Sequence, residues 1–204
     1  MSVIKYPPIT TITIGIKAKD GILLASEKVY SYGDDLIISK KARKVYPLTK
    51  NIGIAFAGIS ADISILTNYM RAQINLLQLE TNRSIVTRAV AKLLSRILSS
   101  TKFSPYLTLS IIGGIDESGM HLYELDIWGS VIEHEKYVAI GYGSDSALGI
   151  LESNVTEELT LKDAKKVAID AVKFGSKRTA ATGFGVDILE ITPSEGTVMS
   201  FYEF

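Results

Sequence analysis

From Thr11 to Ile16 apolar and polar positions alternate, with Ile12, Ile14 and Ile16 set against Thr11, Thr13 and Gly15. A period of two carried by β-branched residues predicts a strand. Lys19-Asp20-Gly21 reads as a hairpin turn. The return run over residues 22–27 is apolar almost throughout, the pattern of a strand covered on both faces. Ser31-Tyr32-Gly33-Asp34-Asp35 is rich in turn formers and predicts a loop. Two more strands follow, over 37–46 and 52–57, and Gly58 ends the second.

The period then changes. Ile63, Leu66, Met70, Ile74 and Leu77 fall three or four apart, the stripe of an amphipathic helix over 61–80. Asn82-Arg83-Ser84 interrupts it. A second helix carries Ala89, Val90, Leu93, Leu94, Ile97 and Leu98 on its apolar side, with Ser84 as its predicted N-cap. Strands return over 107–116, 120–126 and 131–141, as a meander of hairpins. Residues 144–154 predict a short helix, and Thr160-Leu161-Lys162-Asp163 has capping-box spacing for a longer one reaching about residue 177. Strands over 186–191 and 197–201 close the chain. Blocks of strands and helices segregated in this order predict an α+β architecture, two sheets with helical layers packed outside them, in one domain without repeats or linkers.

Composition narrows the class. A chain of 204 residues can bury roughly two thirds of its unfolded surface and folds without metals or disulfides. It has no cysteine, which excludes disulfides, thiol catalysis and Cys-type zinc sites and suits an intracellular compartment. Acidic and basic residues balance at 22 each, which argues against a nucleic-acid or anionic-membrane partner. The start of the chain lacks the apolar core of a secretory signal, and no run approaches the roughly 20 apolar residues of a membrane span. A soluble cytoplasmic protein is the expectation. The 47% hydrophobic content and positive mean hydropathy hint at surface buried against partners.

The segment "TITIGIKAKDGILLASEKVYSYGDDLIISKKARKVY" resembles the opening of proteasome β-type subunits, whose active members begin with a nucleophilic threonine. Gly15, Lys19-Asp20-Gly21 and Ala25 fix the alignment and place that nucleophile on Thr11. The resemblance continues through Gly53, Ala57-Gly58, the "GGID" at 113–116, the "GYGS" and "GILES" of 141–153 and the "TGFGVDILEIT" of 182–192. It implies the N-terminal nucleophile hydrolase fold, a four-layer αββα sandwich. It also implies assembly into seven-membered β-rings stacked with rings of α-type subunits, and no cofactor. The α-type subunits carry a helix before the first strand, which Pro7-Pro8 argues against here.

In that family the free α-amine of the nucleophilic threonine acts as base, and it exists only once the preceding peptide bond is cut. A lysine, an acidic residue and a glycine N–H forming the oxyanion hole complete the site. The resemblance assigns these roles to Lys44, Glu27 and Gly58, and gives Ser31 the polar position of the substrate-backbone loop. Read without it, Lys44 in "KKARK" is a solvated charge, although strand parity sets it with Ala42 and Tyr46 and opposite Arg43. Glu27 is then a strand-end charge and Gly58 a strand terminator.

The chain also departs from the family pattern. Thr10 stands where active members carry glycine before the nucleophile, and a β-branched residue disfavours the backbone conformations that glycine reaches. Tyr142 replaces a serine, Thr179 an aspartate, Thr182 a serine and Val29 an arginine, and Asp34-Asp35 adds a residue to the substrate loop. The expectation is therefore a non-catalytic β-type subunit in a mixed ring, with residues 1–10 kept as a propeptide-like extension of a domain over 11–204. The alternative is an active threonine endopeptidase after autocatalytic removal of residues 1–10. An amidotransferase or acylase of the same fold would present a terminal cysteine or serine, which this chain lacks. His121 and His134 read as isolated strand positions and a poor metal site. Trp128 reads as packing at a hairpin tip.

Overall fold

The computed structural model describes residues 11–32, 36–176 and 184–204. The chain runs through β1 (Thr13–Ala18), β2 (Gly21–Glu27), β3 (Tyr30–Tyr32), β4 (Leu36–Ser39), β5 (Val45–Pro47) and β6 (Ile52–Gly58), then α1 (Ser60–Thr81) and α2 (Thr87–Ser100). It continues through β7 (Thr108–Asp116), β8 (Gly119–Leu125), β9 (Val131–Glu133) and β10 (Tyr137–Ile140). Two helices, α3 (Ser144–Asn154) and α4 (Leu161–Ser176), and two strands, β11 (Val186–Thr192) and β12 (Gly196–Tyr202), complete it.

Two five-stranded antiparallel sheets form the centre. One has the order β10-β1-β2-β11-β12 and the other β5-β6-β7-β8-β9. Alternation along β1 explains the layering. Ile12, Ile14 and Ile16 join Ala164, Ala168 and Val172 of α4 in a core outside the first sheet, while Gly15 faces Leu122 and Ile111 of the second. A second core, with Leu24, Ala55, Ile111 and Leu189, lies between the sheets. A third packs Phe56 and Ile112 against Ile63, Leu66, Met70 and Leu94 of α1 and α2. Each fully buried aliphatic or aromatic side chain contributes about 1.5–3 kcal/mol. The layer order is αββα, as the resemblance implies. The continuous apolar run of β2 is buried at every position because both faces are covered.

Four expectations need correction. The run over 37–46 is two strands, β4 and β5, joined by a segment outside any strand that carries Lys44. Ser31 and Tyr32, expected in a loop, belong to β3, in a hairpin with β4 whose register shifts between Tyr30 and Ser31. The run over 131–141 is also two strands. β9 ends the second sheet, whereas β10 crosses to the first and pairs with β1, so the meander stops at β9. Finally, α2 starts at Thr87 with Val86 at its cap position, and Ser84 does not cap it. Asp116 Oδ2 accepts the Thr87 N–H at 2.8 Å instead, a carboxylate delivered from β7. The Thr160 box does form, with Asp163 N–H donating to Thr160 Oγ1 at 3.2 Å. The turn residue Asp20 accepts the Leu161 N–H, fixing the start of α4 on the β1–β2 hairpin.

Strand registers give the sandwich two ends. Thr13 pairs with Ser26, Glu27 with Val186 and Gly58 with Thr108 at one end. The turns after Ala18, Pro47, Asp116 and Thr192 lie at the other.

Candidate active site

Buried polar residues concentrate at the first of these ends. Thr11, Thr13, Ser26, Glu27, Lys44 and Asp187 are all buried there. Thr11 precedes β1 and Glu27 ends β2, both on the first sheet. Lys44 immediately precedes β5, on the second. The sandwich thus brings together three residues separated by 16 and 33 positions in sequence.

The Thr11 hydroxyl donates to Glu27 Oε1 and accepts from Lys44 Nζ at 2.7 Å. Lys44 Nζ also donates to Glu27 Oε1 and, at 2.7 Å, to the carbonyl of Val29. The other Glu27 oxygen accepts the Val29 N–H at 2.6 Å. Three acceptors therefore surround Lys44 Nζ, enough for all three protons of an ammonium. Burial pulls the Lys44 pKa below that of a free lysine, and the Glu27 carboxylate acts against that shift. The solvated-charge reading of Lys44 and the strand-end reading of Glu27 both fail on burial, with side chains 5% and 0% exposed. Arg43 is exposed and Lys44 buried, as parity predicts, although the segment is not a strand.

Val29 belongs to this cluster through its backbone. Its side chain is buried, but its N–H and C=O hold Glu27 and Lys44. The sequence gives no sign of this, since a peptide group carries no residue signature. A second ion pair lies alongside: Lys28 Nζ is 2.9 Å from Asp187 Oδ1 and 4.2 Å from the centroid of the Phe201 ring.

The other candidates stand further out. Gly58 closes β6 opposite Thr108, and a Cβ there would come 2.3 Å from the Leu107 carbonyl, so the close backbone approach requires glycine. Gly141 has φ 96° and backs onto the site: a Cβ would lie 2.1 Å from the Thr11 carbonyl oxygen. The neighbouring Tyr142 is 66% exposed and lines a shallow groove with Leu109, Glu124, Ala139, Ile140 and Ser144. Ser31 sits half-buried on β3. Thr10, Thr179 and Thr182, together with Asp34-Asp35 and the last predicted residue of α4, lie outside the described residues.

Both histidines are bound within the second sheet. His121 Nδ1 is 2.8 Å from Glu133 Oε1, and His134 Nε2 is 2.8 Å from Glu124 Oε2. Among the described residues no group of three metal-ligating side chains forms a site, and no helix is long and apolar enough to cross a membrane.

Comparison with known proteins identifies the family. The proteasome subunit family profile matches residues 10–191. Proteasome subunit beta 2 of Caldivirga maquilingensis is 46% identical over 183 residues, covering 90% of each chain. Proteasome subunit beta 1 of Staphylothermus marinus is 42% identical over 191 residues, 94% of this chain and 88% of the relative. Proteasome subunit beta of Archaeoglobus fulgidus is 36% identical over 194 residues, 95% of this chain and 88% of the relative. A profile spanning most of the chain, with relatives of this identity along nearly their whole length, leaves one conclusion: the chain belongs to the proteasome subunit family, and the relatives it resembles are β subunits.

Proposed function

We propose that the chain is a non-catalytic β-type subunit of a proteasome core particle. It stands in a seven-membered ring beside catalytic β-type neighbours and against α-type subunits, in the cytoplasm. The domain over 11–204 shapes the chamber for protein degradation, and residues 1–10 remain attached as a propeptide-like extension.

The observation that carries this reading is Thr10, the residue before Thr11, where active members of the family carry glycine. A threonine hydroxyl attacks a carbonyl only if a base takes its proton. Lys44, held by Thr11, Glu27 and Val29 at once, is placed to hold the hydroxyl, and the base in this family is the threonine's own amine. That amine exists only once the bond between Thr10 and Thr11 is cut, and a β-branched residue in place of glycine disfavours the backbone conformations the cut requires. The departures at Tyr142 and Thr179 support the same reading. Intact-mass spectrometry of the chain from particles assembled with its partners tests it. The expected mass retains residues 1–10, and a chain beginning at Thr11 overturns the proposal.

One observation favours the alternative of an active threonine endopeptidase. Thr11, Lys44 and Glu27 are hydrogen-bonded to one another as a working site would need. Covalent labelling of Thr11 by a peptide epoxyketone would establish that reading.

A further inference from the structure

Among the described residues the contact between the two sheets is largely apolar, and near Thr11 polar groups cross it: the bonds of Lys44 to Thr11 and Glu27, and one bond from a hydroxyl pair. Thr13 and Ser26 are fully buried and face each other in the β1–β2 register, with their oxygens 2.8 Å apart. Thr13 Oγ1 donates across the interface to the carbonyl of Phe56 on β6, at 2.9 Å. With that proton committed, Ser26 is the donor within the pair. Its oxygen also lies 3.3 Å from the carbonyl of Ile12, the residue after Thr11. The chain of bonds continues on the far side, where Phe56 N–H donates to the Lys44 carbonyl at 2.9 Å.

We propose that Thr13 and Ser26 are positioning residues of the Thr11 site, a two-hydroxyl clamp that sets the separation of Thr11 on the first sheet from Lys44 on the second. The physical reason is the difference between apolar and polar contact. Apolar packing between sheets is non-directional and tolerates small sliding, whereas a buried hydrogen bond fixes a distance and a direction. Thr11 and Lys44 meet through one 2.7 Å bond, which a slip of an ångström between the sheets would break. The Phe56 backbone serves both partners: its C=O holds Thr13 and its N–H holds the backbone of Lys44. The threonine at position 13 therefore has a role beyond strand propensity, and so does the serine opposite it.

This rests on the reading of Thr11, Lys44 and Glu27 as the site of the family, and it holds whether or not residues 1–10 are removed. The test uses the full chain in its assembled form, labelled with 13C at threonine γ2 and isoleucine δ1 methyls. The Thr11 methyl resonance reports its environment, and a Lys44→Met variant supplies its position without the lysine contact. Thr13→Val, which keeps shape and removes the hydroxyl, should carry that resonance at least halfway to the Lys44→Met position. Thr13→Ser should restore it, and the Ile74 δ1 resonance in the distant α1 core should stay in place throughout. Should Thr13→Val fail to assemble, Ser26→Ala provides the same comparison. A Thr11 resonance unmoved in the hydroxyl-free variant, or moved equally by Thr13→Ser, overturns the clamp. Intact mass on the same samples reads the proposed function separately, because a processed chain would overturn non-catalysis without touching the clamp.

Discussion

Each end of the sandwich holds a cluster in which a hydroxyl, a nitrogen base and a carboxylate meet, and the two have opposite surroundings. At one end Thr11, Lys44 and Glu27 are closed off from solvent. At the other, Ser118 Oγ lies 2.8 Å from His121 Nε2, and His121 Nδ1 lies 2.8 Å from Glu133 Oε1, on a hairpin turn and an edge strand. There Ser118 is exposed and the Glu133 side chain 55% exposed. The distances are similar, but the Ser118 hydroxyl also donates to Asp116 Oδ1 at 2.5 Å, and water reaches the group. Connectivity of this kind is therefore weak evidence of chemistry. What separates the clusters is burial, which makes each bond at the Thr11 end costly to lose and each bond at the Ser118 end replaceable by water.

The largest effect should come from removing one charge at the buried end. Lys44→Met strands the Glu27 carboxylate and should destabilise the chain by about 3–5 kcal/mol in urea unfolding at neutral pH. The double variant Lys44→Met with Glu27→Gln should recover part of that loss. A single variant costing no more than a surface pair would erase the contrast between the two ends.

Gly141→Ala should be next. A residue at φ 96° carries about 1–3 kcal/mol of backbone strain, and the added methyl meets the Thr11 carbonyl. Thermal unfolding should show the loss, and Gly149→Ala on α3, where a Cβ meets nothing, should not.

The exposed end should show itself in acid. Partial desolvation of Asp116 raises its pKa, but hydrogen bonds from Ser118 and the Thr87 N–H outweigh it and hold the carboxyl at about 2. A folded pKa below the unfolded value gives stability that is complete above about pH 4 and lost as pH falls toward 2. Asp116→Asn should flatten the stability curve across that interval and lower stability above it, where the carboxylate's contribution is otherwise complete, as followed by circular dichroism.

The smallest effect belongs to Glu133→Gln, which removes the exposed partner of His121. It should cost about 0–1 kcal/mol, and the cost should shrink as salt is raised from 0.05 to about 1 M. A salt-independent loss comparable with that of Lys44→Met would mean that the Ser118 end is effectively buried.

The division between what sequence and tertiary structure decide follows the range of the interactions. Periodicity and caps are local, so the alternation of Ile12, Ile14 and Ile16, the apolar run of β2, the stripe of α1 from Ile63 to Ile74 and the Thr160 box are readable along the chain, although Leu77, the last of that stripe, is exposed. The same holds for the block order that predicts four layers. The failures are non-local. Ser84 has the right chemistry for a cap but loses the place to Asp116, a residue 29 positions beyond the Thr87 it holds. Residues 131–141 read as one strand because nothing local marks the crossing from the second sheet to the first. Aligned spacing named Thr11, Glu27 and Lys44, but only the packing of two sheets could bury them together, because a charge leaves water only where the fold supplies its partners. The backbone of Val29 and the hydroxyls of Thr13 and Ser26 complete that environment. They were invisible beforehand for the same reason: a residue's type says what it can bond, and the tertiary structure decides what it meets.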